Sequence, residues 1–395
     1  MQDVYILAGA RTGIGAFGGS LKNMTACDLA TVVTKEAIKR SGLDANKVEQ
    51  CVLGNVLHGQ ARDMYVSRVA AIEAGMDVSS RALTLNRLCG SGLQAIITAT
   101  QQIQLDDVNV CVAGGAESMS RAGYLMEAHR FGKRMGNDQI IDMMVGVLTD
   151  PFGHGHMGVT AENVAAEHDI SREDQDAFAL ESHKRAEKAV QEGRFKDQIV
   201  PVEVNPRKGI IFDQDEHFRP DASLDDFQSL KPVFQKDGSV TAGNASGLND
   251  GAGAVVLASA KTVAEEKLTP MARIVSYGQS GVKPEIMGMG PVDAVNQALS
   301  RANLTLDDID VIESNEAFAA QACAVSKVLG LDSKKVNPNG GAVALGHPIG
   351  ATGAIITIKA LYELKRIGGK YGLITMCIGG GQGICLIVEN ITEGV

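Results

Sequence analysis

The chain has 395 residues, enough for two or three core-bearing units, and its 45% hydrophobic and 21% charged content is that of an ordinary soluble globular protein. A formal net charge of −10 argues against broad nucleic-acid binding, while leaving room for a local basic patch facing a phosphate-bearing ligand. The seven cysteines are odd in number and form no CxxC pair, which excludes a disulfide framework and suits a reducing compartment.

The N-terminal run Met1-Gln2-Asp3-Val4-Tyr5-Ile6-Leu7 enters a strand-like segment with no basic n-region. No apolar stretch reaches about 18 residues, so a cytoplasmic protein without a membrane contact is expected. Short apolar strands then alternate with longer helical patterns, the arrangement of α/β layers. Ser41 to Asn55 reads as a helix stop, a polar turn and a strand ending in a polar tip.

Next comes Asn86-Arg87-Leu88-Cys89-Gly90-Ser91-Gly92-Leu93, followed by Gln94 to Gln102 with helical apolar spacing. A thiol on a glycine turn that opens a helix lies where free amide N–H groups and the helix dipole favour a thiolate. On this stretch alone a buried structural thiol fits equally well. The following strand ends in Cys111-Val112-Ala113-Gly114-Gly115.

From about Ser120 to Asn249 the composition shifts toward charge and methionine, as in an insertion carried on a scaffold. Within it, His154-Gly155-His156-Met157-Gly158 lacks further carboxylate or thiol ligands and reads as pocket lining rather than zinc. Ser171-Arg172-Glu173-Asp174 matches a capping box, opening an amphipathic surface helix to Gly193.

Earlier segments then recur. Ala302 to Asn315 repeats Ser41 to Asn55; Ala354-Ile355-Ile356-Thr357 repeats Ala95-Ile96-Ile97-Thr98; and Cys377-Ile378-Gly379-Gly380-Gly381 repeats Cys111 to Gly115. The pairs keep their order at a separation of roughly 260 positions, which predicts an internally duplicated α/β unit. The halves are drawn at 1–119 with 249–269 and at 270–395, around a loop domain at 120–248.

The second half carries its own candidates. Asn315 could orient a water, donate to an oxyanion, or simply cap a strand end. His347 lies in the glycine-rich loop Asn337 to Gly353, held extended by Pro348, within a residue of the position matching Cys89. Thiol and imidazole are therefore expected to face each other from equivalent helix starts, the pairing a thiolate nucleophile needs. Cys377 with Gly379 to Gly383 offers an acid/base and free amide donors; a phosphate cradle is the weaker alternative.

Together Asn86 to Leu93, Gly155 to Gly158, Thr241 to Ala252, Asn315 to Ala319, Gly340 to Gly353 and Cys377 to Gly383 resemble the thiolase family, of the acetyl-CoA acetyltransferase type, over essentially the whole chain. The resemblance implies a five-layered αβαβα fold of two duplicated halves with an inserted loop domain, as a homodimer or a dimer of dimers. It implies reversible Claisen condensation of two acetyl-CoA to acetoacetyl-CoA and CoA, with no metal and no cofactor beyond these substrates. A degradative 3-ketoacyl-CoA thiolase of broader chain length, serving β-oxidation, is the alternative.

By the same resemblance Cys89 is the acylated nucleophile, His347 activates it, and Cys377 moves the methyl proton. Asn315, through a water, joins His347 at the enolate oxygen, and the amides of Cys89 and Gly379 hold the acyl-enzyme oxyanion. CoA contacts fall on Leu148, His156, Met157, Arg219, Phe234, Ala242, Gly243, Ser246, Ala317 and Phe318, with Met287 lining the acyl pocket. Two places depart from the family pattern: Asp226, where a small polar residue is usual, and Arg62 to Arg68, which is similar to relatives acting on longer chains. Decarboxylating condensing enzymes of the same fold use two histidines, or His and Asn, where this chain has Cys377.

Overall fold

The computed structural model describes residues 2–391; Met1 and 392–395, the outer ends of the two halves as drawn, lie outside them. Strand β1 (Val4–Arg11) is buried throughout, as an apolar run without polar alternation predicts for a strand covered on both faces. Helix α1 (Ala26–Ser41) starts at Thr25, whose hydroxyl accepts the Asp28 amide while the Asp28 carboxylate accepts the Thr25 amide. There follow β2 (Gln50–Gly54), α2 (Val66–Glu73), β3 (Arg81–Leu85), α3 (Ser91–Gln104) and β4 (Val110–Ser118). The long connection after β4 carries α4 (Met157–Glu167) and α5 (Arg172–Gln191), and the chain re-enters the sheet as β5 (Asn249–Ser259).

The same order of elements then repeats as β6 (Ala272–Gly281), α6 (Gly290–Ala302), β7 (Val311–Ser314), α7 (Ala319–Leu329), α8 (Thr352–Ile367), β8 (Tyr371–Ile378) and β9 (Gln382–Asn390). β1 and β6 meet antiparallel at Tyr5↔Arg273 and Ile6↔Ala272. Outward from that seam run β1-β5-β4-β2-β3 on one side and β6-β9-β8-β7 on the other. Where β3 pairs in parallel with β2, the second half keeps only the parallel bridge Ile312↔Val336. The duplication suggested by short repeats is thus present as topology.

Helices α1 and α2 cover the outer face of the first sheet, with Leu29, Val33, Ala37 and Ala70 against Leu53, Val112 and Val256. Helix α6 covers the second, with Val295 and Ala298 against Leu373 and Ile387. Between the sheets, α3 and α8 share one core: Leu93, Ile96 and Ile97 pack with Ile356, Ile358 and Leu361, and with Val255 and Ile374 of the two sheets. Five layers result. The two central helices touch at glycine, because a Cβ on Gly353 would collide with the Leu93 backbone and one on Gly92 would sit 2.8 Å from the Ala354 nitrogen.

Candidate active site

Cys89 sits on the turn between β3 and α3. Leu88 before it adopts left-handed backbone (φ 48°), a conformation that costs a branched residue energy and must be held by its surroundings. The Asn86 carboxamide oxygen accepts the Leu88 amide at 2.9 Å, and the Ser91 hydroxyl accepts the Arg87 amide at 2.8 Å while donating to the Leu88 carbonyl at 2.7 Å. Burial pushes the Cys89 thiol up to about 11, although the amides of Gly379 and of Cys89 itself favour the thiolate. Burial outweighs those amides, so the group is a thiol at neutral pH and needs a base.

His347 lies between the single helical turn Ala342–Leu345 and α8, and it is buried. Its amide donates to the Asn249 carboxamide oxygen at 2.9 Å, and Asn249 is itself tied to the Gly15 carbonyl at 3.0 Å. Burial lowers the imidazole to about 4, so the ring is neutral. Nδ1 faces the Thr352 hydroxyl at 2.6 Å, whereas Nε2 has no protein partner. The expected equivalence of Cys89 and His347 is not what the fold shows. Gly92 and Gly353 are the matched crossing points, so Gly350 holds before α8 the place that Cys89 holds before α3. His347 lines the same cavity as Cys89 from further back along its loop.

Cys377 is the penultimate residue of β8 and is buried; burial and the neighbouring Cys89 hold its thiol well above the ordinary range. Asn315 follows β7, its amide donating to the Thr375 carbonyl at 2.9 Å, while both carboxamide atoms are buried without a partner. It borders a small void with Gly346 and Thr352 rather than the cavity at Cys89.

The cavity at Cys89, about 370 Å³, brings Cys89, His347, Cys377 and Gly379 together with Leu148, His156, Met157, Phe234, Ala242, Ser246, Met287, Ala317 and Phe318. Arg219 and Gly243 lie outside its lining: Arg219 is exposed, its amide donating to His183 Nδ1 at 3.0 Å, and Gly243 backs onto Leu230 and Phe227. Sequence reasoning missed the apolar wall of Leu88, Met119, Val147, Leu248 and Ile349. It also missed Glu117, the buried end of β4. The Glu117 carboxylate accepts Asn55 Nδ2 at 3.0 Å, the amides of Val56 and Leu57 at 3.1 Å, and the Gly350 amide at 2.9 Å. Burial raises its carboxyl to about 8 against the pull of those amides.

His156 caps α4, its Nδ1 accepting the Gly158 amide at 3.1 Å, and its ring stacks on Phe234 at 4.7 Å. His154 instead lies 3.6 Å from Glu285, and among the described residues no cluster could hold a metal. Asp226, a departure from the family pattern, accepts the Ser223 amide and hydroxyl at 2.9 and 2.6 Å, capping the short helix Leu224–Gln228.

A thiol that shares a cavity with a neutral imidazole, a second thiol and amide donors can pass an acyl group between sulfurs and a proton to or from carbon. Comparison with known proteins bears on which chemistry this is. The family models for the thiolase N-terminal and C-terminal domains match residues 4–261 and 268–390. The chain is 58% identical to the beta-ketothiolase BktB of Cupriavidus necator, over 99% of this chain and 100% of that one. It is 50% identical to an acetyl-CoA acetyltransferase of Chromobacterium violaceum, over 98% and 100%. The crystal structure of human mitochondrial 3-ketoacyl-CoA thiolase in complex with CoA superposes with a TM-score of 0.96 at 45% identity, covering 99% of this chain and 98% of that one. The chain belongs to the thiolase family and is an acyltransferase.

Proposed function

We propose that the chain is an acetyl-CoA C-acetyltransferase that makes and cleaves acetoacetyl-CoA through an acyl-Cys89 intermediate. The observation that carries this is the second thiol, Cys377, opening onto the same cavity as Cys89 and His347. Carbon–carbon exchange needs a nucleophile that is also a good leaving group and a separate acid/base for carbon; two thiols supply both.

In the cleavage direction, His347 Nε2 takes the Cys89 proton as the sulfur attacks the 3-oxo carbon. The C–C bond breaks, and the departing enolate carbon takes its proton from the Cys377 thiol. The enolate oxygen is stabilised from the His347 side and by a water oriented by Asn315. Incoming CoA gives its proton to the Cys377 thiolate, its sulfur takes the acyl group, and Cys89 regains its proton from His347. Condensation is the reverse. The raised Cys377 thiol suits this, since the group must start as an acid. Amides of Cys89 and Gly379 would hold the oxyanion.

CoA would lie along His156, Met157, Phe234, Ala242, Ser246, Ala317 and Phe318, with Arg219 at a phosphate outside the lining. The seven free cysteines fit a cytoplasmic setting. A homodimer or dimer of dimers is supported by the exposed edge strand β3 and by the exposed side chains of Phe131 and Met135. The domain limits drawn from the sequence are retained as a proposal, supported by the mirrored strand order.

The apolar wall of Leu88, Met119, Met157 and Met287 favours one second reading, a 3-ketoacyl-CoA thiolase of broader chain length. Measuring kcat/KM for thiolysis of four-carbon through ten-carbon 3-oxoacyl-CoA decides between them. A maximum at four carbons supports the first reading; a flat or rising series replaces it with the second.

A further inference from the structure

The ring of His347 has two nitrogens and, being neutral, one proton to place. As a base toward Cys89 it must keep that proton on Nδ1 and leave Nε2 bare. Thr352, the first residue of α8, is buried and adjoins the ring. Its hydroxyl donates to the Pro348 carbonyl at 2.9 Å, the bond a helical threonine makes to the residue four positions back. A hydroxyl has a single proton; with that proton on the Pro348 carbonyl, the oxygen accepts from Nδ1 at 2.6 Å. The other nitrogen, Nε2, has no protein partner, and the ring lines the reaction cavity.

We propose that Thr352 is a positioning residue: it fixes His347 as the Nδ1–H tautomer and aims the Nε2 lone pair at the reaction cavity. The backbone completes the hold, because Pro348 restricts His347 to extended conformations and Asn249 anchors its amide. The inference rests on the reading of His347 as the base for Cys89.

The test uses the full-length enzyme labelled with nitrogen-15 histidine, the His347 signal being identified by its loss in His347→Asn. Wild-type spectra should show a single Nδ1–H tautomer. Thr352→Val, which keeps the shape without the oxygen, should mix tautomers and lower kcat about 10²-fold with KM little changed, whereas Thr352→Ser should stay within about threefold of wild type. A wild-type Nε2–H tautomer, a fully active Thr352→Val or a Thr352→Ser as impaired as Thr352→Val would each overturn the proposal. Should Thr352→Val fail to fold, the wild-type spectrum and Thr352→Ser still decide. An inactive wild type that shows the Nδ1–H tautomer would instead sink the thiolase reading and leave the tautomer assignment standing.

Discussion

Cys89 and Cys377 are both thiols raised by burial, yet the tasks proposed for them separate on mutation. Cys89→Ser should abolish acyl-enzyme formation from acetyl-CoA, read by mass spectrometry of the intact chain. Cys377→Ala should still acylate, but its exchange of acetyl methyl protons with deuterated water should fall by about 10³-fold. Normal exchange in that variant would remove Cys377 from carbon chemistry. His347 makes a further prediction through its titration. Its folded value, about 4, lies below the ordinary 6.5, so the native ring refuses a proton that the unfolded chain binds. Its contribution to stability is full above pH 6.5 and is lost as pH falls from there toward 4. Denaturant titrations of His347→Asn against wild type should show a gap changing in the variant's favour by on the order of 3 kcal/mol across that window, with no such trend above it.

Among the elements, the capping box at Ser171 and the repeated strand-and-glycine segments were legible because their partners lie within a few residues or recur along the chain. The Glu117 clasp was not. Its donors come from Asn55, Val56, Leu57 and Gly350, which no spacing rule brings together, and only the fold sets the His347 loop against the first half. Thr352 was missed for the same reason in reverse: it looks like an ordinary helix start until the imidazole is seen folding back on it. The registration of His347 with Cys89 failed by a few positions, because tetrapeptide likeness does not report where two helices cross. Replacing Glu117 with Ala would strand several buried donors and should cost about 3 kcal/mol or more in unfolding free energy, with a loss of activity. Glu117→Gln should cost less, since it keeps one acceptor. Equal losses in the two variants would mean that the carboxylate is not the tie described.

At the scale of the molecule, an acidic surface and large exposed side chains pull in different directions. Phe131 is 95% and Met135 88% exposed, a level of apolar display that single soluble chains rarely carry in one segment. Light scattering should therefore find a dimer or tetramer, and Phe131→Ser with Met135→Ser should lower the mass without reducing kcat. A wild-type monomer would end that proposal.

The glycine contact between α3 and α8 has a consequence for how this enzyme can change. A Cβ on either glycine would collide with the facing helix, so the spacing of the helix starts that follow the Cys89 turn and the His347 loop is set by backbone. The apolar side chains of the cavity wall, such as Met119 and Met287, sit on other segments of the chain. Under the proposed reading, chain-length preference can then drift, or be engineered, without disturbing the helix contact behind Cys89. Enlarging or shrinking that wall should shift KM among substrates and leave the acylation rate of the favoured one intact.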